Sequence, residues 1–317
     1  MQDYELALAY CQRAHAIGTA LGDVDLHIRI NQTMGQIYYD LSDYRQAIAC
    51  LQQNLTALQG ERRYQSLGSI VVLPPVQTRI WMARCLRELG EFAAGMAYGN
   101  EALQIAEVVD RPYERVSVYY CVGGLYVCQG TLHQAIPVLE RAVALSQDAD
   151  IPDFRLHTAQ HLALAYALAG RATDALPLLG QIEGNPVVRG EAYFLAGDVE
   201  EADRLAQQAL ANSRHRKMRG EEARALWLLG EIAMRRAPPD VAHAEAHYQQ
   251  ALALAEELGM RPLQAHCYRG LGTLYRQTGQ LEQARADLST AIEMYRGMEM
   301  MFWLPETEAA LAAVEGQ

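Results

Sequence analysis

The sequence predicts an all-α protein, a solenoid of helix pairs wound into a right-handed superhelix. It has about seven repeats of roughly 40 residues, an N-terminal half-repeat and a C-terminal capping helix. Three observations predict this. A short residue pattern recurs seven times along the 317 residues. Apolar residues keep a helical period on both sides of a recurring small residue, which marks two helices joined by a tight turn. Half the chain is hydrophobic with only 8% aromatics, the composition of an Ala- and Leu-rich helical protein.

Each repeat is built on a small anchor residue: Gly35, Ala83, Gly123, Ala163, Gly190, Gly230 and Gly272, at spacings of 48, 40, 40, 27, 40 and 42 residues. Three residues past the anchor stand Tyr38, Leu86, Tyr126, Tyr166, Tyr193, Ala233 and Tyr275. Seven past it come Ser42, Gly90, Gly130, Gly170, Gly197, Ala237 and Gly279. Twelve past it come Ala47, Gly95, Ala135, Ala175, Ala202 and Ala284, while the sixth repeat reaches Ala244 only after fourteen because Pro238-Pro239 lengthens its turn. Glycine at the turn closes the first helix at positive φ without a Cβ clash. The two small positions let the paired helices approach, and the Tyr or Leu between them fills the cleft.

Taken in order, residues 1–22 read as a second helix without its first, carried by Asp3, Tyr4, Ala7, Cys11 and Ala14. This start predicts a fragment, or a gene product that lost upstream domains, and an open apolar face around Leu6 to Ile17. Complete repeats follow at about 23–60, 70–110, 112–148, 152–183, 185–213, 219–258 and 261–297, with a cap at 303–315, all in one domain spanning 1–317. Leu73-Pro74-Pro75 breaks the chain before the second repeat. The 27-residue spacing predicts that the first helix of the fifth repeat, Pro186 to Leu195, is short or irregular.

This pattern resembles the tetratricopeptide repeat over essentially the whole chain, in the long-repeat variety. Four segments narrow the resemblance: Trp81-Met82-Ala83-Arg84-Cys85-Leu86-Arg87-Glu88-Leu89-Gly90-Glu91-Phe92 after Leu73-Pro74-Pro75, Pro238-Pro239-Asp240-Val241, Ala251 to Pro262, and Ala291 to Arg296 with Phe302-Trp303-Leu304. Together they resemble the C-terminal region of bacterial multidomain signalling proteins that carry a class III nucleotidyl cyclase domain, a signal-transduction ATPase module and then tetratricopeptide repeats. The resemblance implies a sensor or regulatory arm, with the upstream ATPase or cyclase domains of the same protein among its partners.

Several function classes are excluded by the residues themselves. Lys217, the single lysine, is followed by Met218, so no nucleotide-binding P-loop exists. No GxSxG occurs, no GxGxxG follows a strand, and no strand-like region offers a sheet for metal-holding carboxylates. The chain therefore reads as no enzyme, with no cofactor. His157/His161 and His243/His247 share helix faces at metal-binding spacing, but no third ligand is indicated and groove or surface histidines account for them. Arg214 to Arg219 reads as a basic helix C-terminus complementing the helix dipole. A net charge of −11 speaks against nucleic acid, and no apolar run reaches membrane-spanning length. Six cysteines without a CxxC pair, and acidic residues where a signal peptide would be basic, predict reduced thiols and a cytoplasmic location.

The remaining candidate is the concave groove lined by the first helices. Positions six and three before the anchor, and one and four after it, form its stripe. They include Arg29, Tyr39, Arg84, Arg87, Tyr120, His157, Arg224, Trp227, His266, Arg269 and Arg276, the candidate binding residues. Six arginines against Glu191 and Glu231 oppose the global sign of the chain. Arginine suits carboxylate and phosphate forks, and the aromatics add flat contact area. The expected function is a non-catalytic interaction scaffold binding an acidic peptide or protein segment. The alternative is a small-ligand sensor controlling an associated ATPase or cyclase module.

Overall fold

The computed structural model describes residues 4–64, 72–180 and 183–316, and the expected repeat starts at 1 and 70 lie outside them. The described residues form sixteen α-helices and no strand. An unpaired helix α1 (Tyr4–Leu21) precedes the pairs α2 (Val24–Asp40) and α3 (Tyr44–Ala57), α4 (Pro74–Leu89) and α5 (Phe92–Val109), α6 (Pro112–Gln129) and α7 (Leu132–Asp148). Then come α8 (Pro152–Leu168) and α9 (Ala172–Leu179), α10 (Pro186–Ala196) and α11 (Val199–Arg216), α12 (Arg219–Arg235) and α13 (Val241–Leu258), α14 (Arg261–Gln277) and α15 (Leu281–Gly297). The single helix α16 (Leu304–Glu315) closes the chain.

Local chemistry sets these boundaries. Asp23, Asp43, Asp198 and Asp240 cap α2, α3, α11 and α13 by accepting a backbone N–H three residues on. Proline opens α4, α6, α8, α10, α14 and α16, where its missing N–H costs nothing. The turn position takes positive φ in six repeats, from 66° at Ser42 to 96° at Gly197, and in the sixth repeat Ala237-Pro238-Pro239 replaces it with a longer turn. The short spacing before Gly190 has two sources. The first helix of the fifth repeat, α10, has 11 residues, and α9 before it has only 8.

Anchors work as close approaches. A Cβ on Gly272 would lie 2.7 Å from Leu288 Cγ, so the α14–α15 pair exists because that Cβ is absent. The partner stands sixteen residues past the anchor as Leu51, Leu139, Leu179 and Leu288, all fully buried. Burying one such leucine stabilises the fold by about 1.5–3 kcal/mol.

The superhelix closes on itself after five repeats. The start of α12 meets the turn of the first repeat, where Gly220 N donates to Ser42 Oγ at 2.7 Å. Tyr44 of that repeat donates to Met260 Sδ at 3.8 Å. Pro262 and Met298 sit against the second turn at Gly90, and Phe302 and Trp303 against the third at Gly130. One core therefore unites Leu51, Cys85 and Leu89 with Leu226, Met260 and Leu274, while another joins Ile80 and Val118 to Tyr295, Met300 and Trp303. The accessible surface, 14428 Å², is close to the roughly 13,100 Å² that mass scaling gives a compact monomer. At the other end, α1 leaves Leu6, Tyr10, Ile17 and Leu21 exposed.

Candidate functional site

Four successive first helices, α2, α4, α6 and α8, present their concave stripe to one cavity of about 670 Å³. Arg29, Gln32 and Gln36 come from α2, Gln77, Ile80 and Arg84 from α4, Ser117 and Tyr120 from α6, and His157 from α8. Every one of these is a stripe position. Sequence reasoning missed Trp81, Tyr113, Asp153 and Phe154, which with Thr33, Val72 and Pro74 complete the lining. A signal existed for two of them, because Tyr113 and Asp153 lie ten residues before their anchors, one helical turn beyond the stripe as drawn.

Arg84 is held flat in this cavity. Its guanidinium lies over the Trp81 ring at 4.1 Å and over the Tyr39 ring at 4.6 Å, while Tyr39 and Trp81 pack edge to face at 5.2 Å. A second aromatic group lines the same cavity. Phe154 lies 5.2 Å from Tyr113 and 5.9 Å from Tyr120, and His157 is 5.9 Å from Tyr120. Burial and then the charge of Arg84 push the His157 imidazole down, and burial and then Arg87 bring His161 down to about 3. Both rings are neutral at pH 7.

Arg87 and Arg224 do not join Arg84. Both turn to Glu88, a buried carboxylate 3% exposed that the sequence reading passed over. Arg87 Nη2 donates to Glu88 Oε1 at 2.7 Å and Tyr39 Oη donates to the same oxygen at 3.2 Å, while Arg224 Nη2 donates to Oε2. Burial alone would push Glu88 up; Arg224 and Arg87 overcome it and hold the carboxyl at about 2. Arg87 and Glu88 belong to α4 and Arg224 to α12, so this cluster ties two turns of the superhelix and interrupts the groove.

Beyond the interruption, Trp227 is buried and His266 half-buried. Trp227 is 9% exposed, and His266 Nδ1 lies 2.8 Å from Tyr295 Oη with Trp303 against its ring. Arg269 and Arg276 line a separate space of about 330 Å³ with Glu231, Thr273 and Glu306. Arg269 pairs with Glu231 at 3.3 Å, which also accepts from Tyr248 Oη at 2.9 Å. Of the six expected groove arginines, Arg87, Arg224 and Arg269 pair with the carboxylates of Glu88 and Glu231. Among the described residues, Arg29, Arg84 and Arg276 have no carboxylate within ion-pair distance.

Elsewhere the basic run is paired, Arg214 to Glu222, Lys217 to Glu5 and Arg219 to Glu257. His243 Nδ1 sits 2.9 Å from Asp240, and no group of three or more His, Cys, Asp or Glu gathers for a metal among the described residues. No helix among them is long and apolar enough to cross a membrane.

Two family models match, one described as a MalT-like TPR region over residues 186–317, the other as a tetratricopeptide repeat over 1–59. Neither describes an enzyme. A search of curated protein sequences finds no match. The Rap conjugation gene regulator of plasmid pLS20, solved with a Phr peptide, is 15% identical with a TM-score of 0.65 over 86% of this chain and 75% of that one. A Rap protein complexed with competence and sporulation factor is 14% identical, with a TM-score of 0.59 over 99% of this chain and 95% of that one. A signal-transduction ATPase with a tetratricopeptide repeat sensor from Pyrococcus horikoshii is 16% identical, with a TM-score of 0.51, and this chain covers 43% of it. With tetratricopeptide models matching at both ends and helical solenoids of the same architecture as structural neighbours, the chain has the fold of a tetratricopeptide-like helix-pair solenoid.

Proposed function

We propose that the chain is a non-catalytic interaction module, the sensor or regulatory arm of a bacterial signalling protein, which receives an acidic peptide or protein segment in the α2–α4–α6–α8 cavity. One observation carries this reading. Four repeats converge on a single cavity whose interior guanidinium, Arg84, has no carboxylate partner, in a chain of net charge −11. Two of the similar solenoids were solved with a peptide or factor bound, which supports a partner of that kind. Selection from a displayed peptide library, followed by titration against Arg84→Gln and Arg29→Gln, tests it. Acidic sequences should be enriched, and their binding should weaken as salt rises from about 0.1 to 0.5 M. Enrichment of neutral sequences whose binding ignores both substitutions would refute the proposal.

The groove interruption at Glu88 favours a second reading, a small-ligand sensor controlling an ATPase or cyclase module. The cavity volume falls within the roughly 300–1,000 Å³ of small-molecule sites, and Tyr39, Arg87, Glu88 and Arg224 line neither it nor the second space. Native mass spectrometry of protein purified from its host separates the two. A bound mass of a few hundred daltons supports the sensor, and a peptide mass supports the scaffold.

A further inference from the structure

We infer that the group recognised in the α2–α4–α6–α8 cavity is an anion mounted on an aromatic ring, bound by Arg84 at one end and by the Tyr113–Tyr120–Phe154 rings at the other. The inference rests on the cavity being the binding site, and it names the chemistry the cavity selects.

The anion follows from Arg84. Of the interior arginines near the closure, Arg87 and Arg224 share Glu88 and Arg269 has Glu231, whereas Arg84 has no carboxylate within ion-pair distance among the described residues, the charge of Asp40 reaching it only from farther off. Its guanidinium nitrogens make no hydrogen bond there and are not sealed off, so its donors remain available to the cavity it lines. Stacking on Trp81 and Tyr39 fixes the plane of the fork in advance, and a fixed planar fork suits a carboxylate or phosphate. Asp153, the one carboxylate of the lining, is exposed.

The ring follows from the aromatic group that α6 and α8 bring to the same cavity. Tyr113, Tyr120 and Phe154 meet edge to face, an arrangement that offers ring edges and faces to a further aromatic group. His157 joins the same group as a neutral ring. These side chains come from α6 and α8 and the fork from α4, so a ligand that satisfies both must place its charge at one end and its ring at the other. Inorganic anions satisfy the fork alone, and neutral aromatics the rings alone.

The source of such a group is a free aryl phosphate or carboxylate, or an aryl phosphate side chain within a peptide. Calorimetric titration with phenyl phosphate, inorganic phosphate, phenol and an end-blocked Gly–phosphotyrosine–Gly peptide tests the inference. Phenyl phosphate should bind at least about tenfold tighter than phosphate or phenol. Arg84→Gln should remove most of that gain, Tyr120→Leu should weaken it by about threefold to tenfold, and Arg276→Gln in the second space should leave it unchanged. A stronger affinity for the blocked peptide assigns the group to a peptide, and an equal or weaker one assigns it to a free molecule. The inference is overturned if phosphate alone matches phenyl phosphate, if Arg276→Gln abolishes binding while Arg84→Gln spares it, or if no probe binds below about 1 mM. Peptide selection remains the separate test of the cavity reading, so acidic library peptides that depend on Arg84 without any ring would sink this inference alone.

Discussion

Glu88 and Glu191 occupy the same charged interior and titrate in opposite directions. Arg224 and Arg87 hold Glu88 at about 2 against the effect of burial, below the ordinary carboxyl near 4.3. Its contribution to stability is therefore complete above about pH 4.5 and is lost as the pH falls toward 2. Burial pushes Glu191 up to about 7, with Arg224 opposing less strongly and Glu231 adding to the rise. The folded state then holds a proton that the unfolded state has lost, so this group lowers stability as the pH climbs from about 4 to 7. Glu88→Gln should cost about 3–5 kcal/mol at neutral pH, because two interior guanidinium groups lose their counter-charge. Urea unfolding at pH 7 and pH 3 checks it, and the difference from wild type should shrink at the lower pH. Glu191→Gln should raise the melting temperature at pH 8 and change it little at pH 4. Neither glutamate's role was legible in the sequence. Glu88 stands five past its anchor, one residue beyond the stripe that ends at Arg87, and its second arginine arrives from 136 residues away.

At the scale of helices, the repeat pattern carried most of what the structure shows. Turn positions at 90, 130, 170, 197 and 279 have positive φ, and small anchors sit where a side chain meets them. The residue sixteen past the anchor was not seen, because leucines are so common in this chain that Leu51, Leu139, Leu179 and Leu288 do not stand out. That pairing gives a test. Gly272→Ala should cost about 1–3 kcal/mol by overpacking against Leu288. Adding Leu288→Ala should give a double variant less destabilised than the sum of the two single changes, since the new methyl enters the space vacated. Strict additivity in thermal unfolding would show that the two side chains do not share that space. For the candidate site the same stripe located nine of the cavity residues, and it failed where charges are neutralised from another turn. Nearest-neighbour repeat logic contains no information about which turns stack.

For the whole molecule, closure after five repeats decides the shape. Trp303 is 8% exposed and packs on the third turn together with Phe302. Trp303→Ala should cost about 3–5 kcal/mol, and scattering should report a radius of gyration above the roughly 20 Å expected for a compact chain of this length. An unchanged radius would mean that the two turns stay docked without it. An open solenoid unfolds like a row of dominoes, each unit answering only to its neighbours, and it frays from its ends. Here the ends are tied, with Ser42 bonded to Gly220 across 178 residues. Apart from the unpaired α1, the least secured stretch is then the middle of the chain, at the eight-residue α9 and the shortened α10. Amide exchange should begin there rather than in α14 or α15, giving the molecule a weak waist between two mutually braced ends.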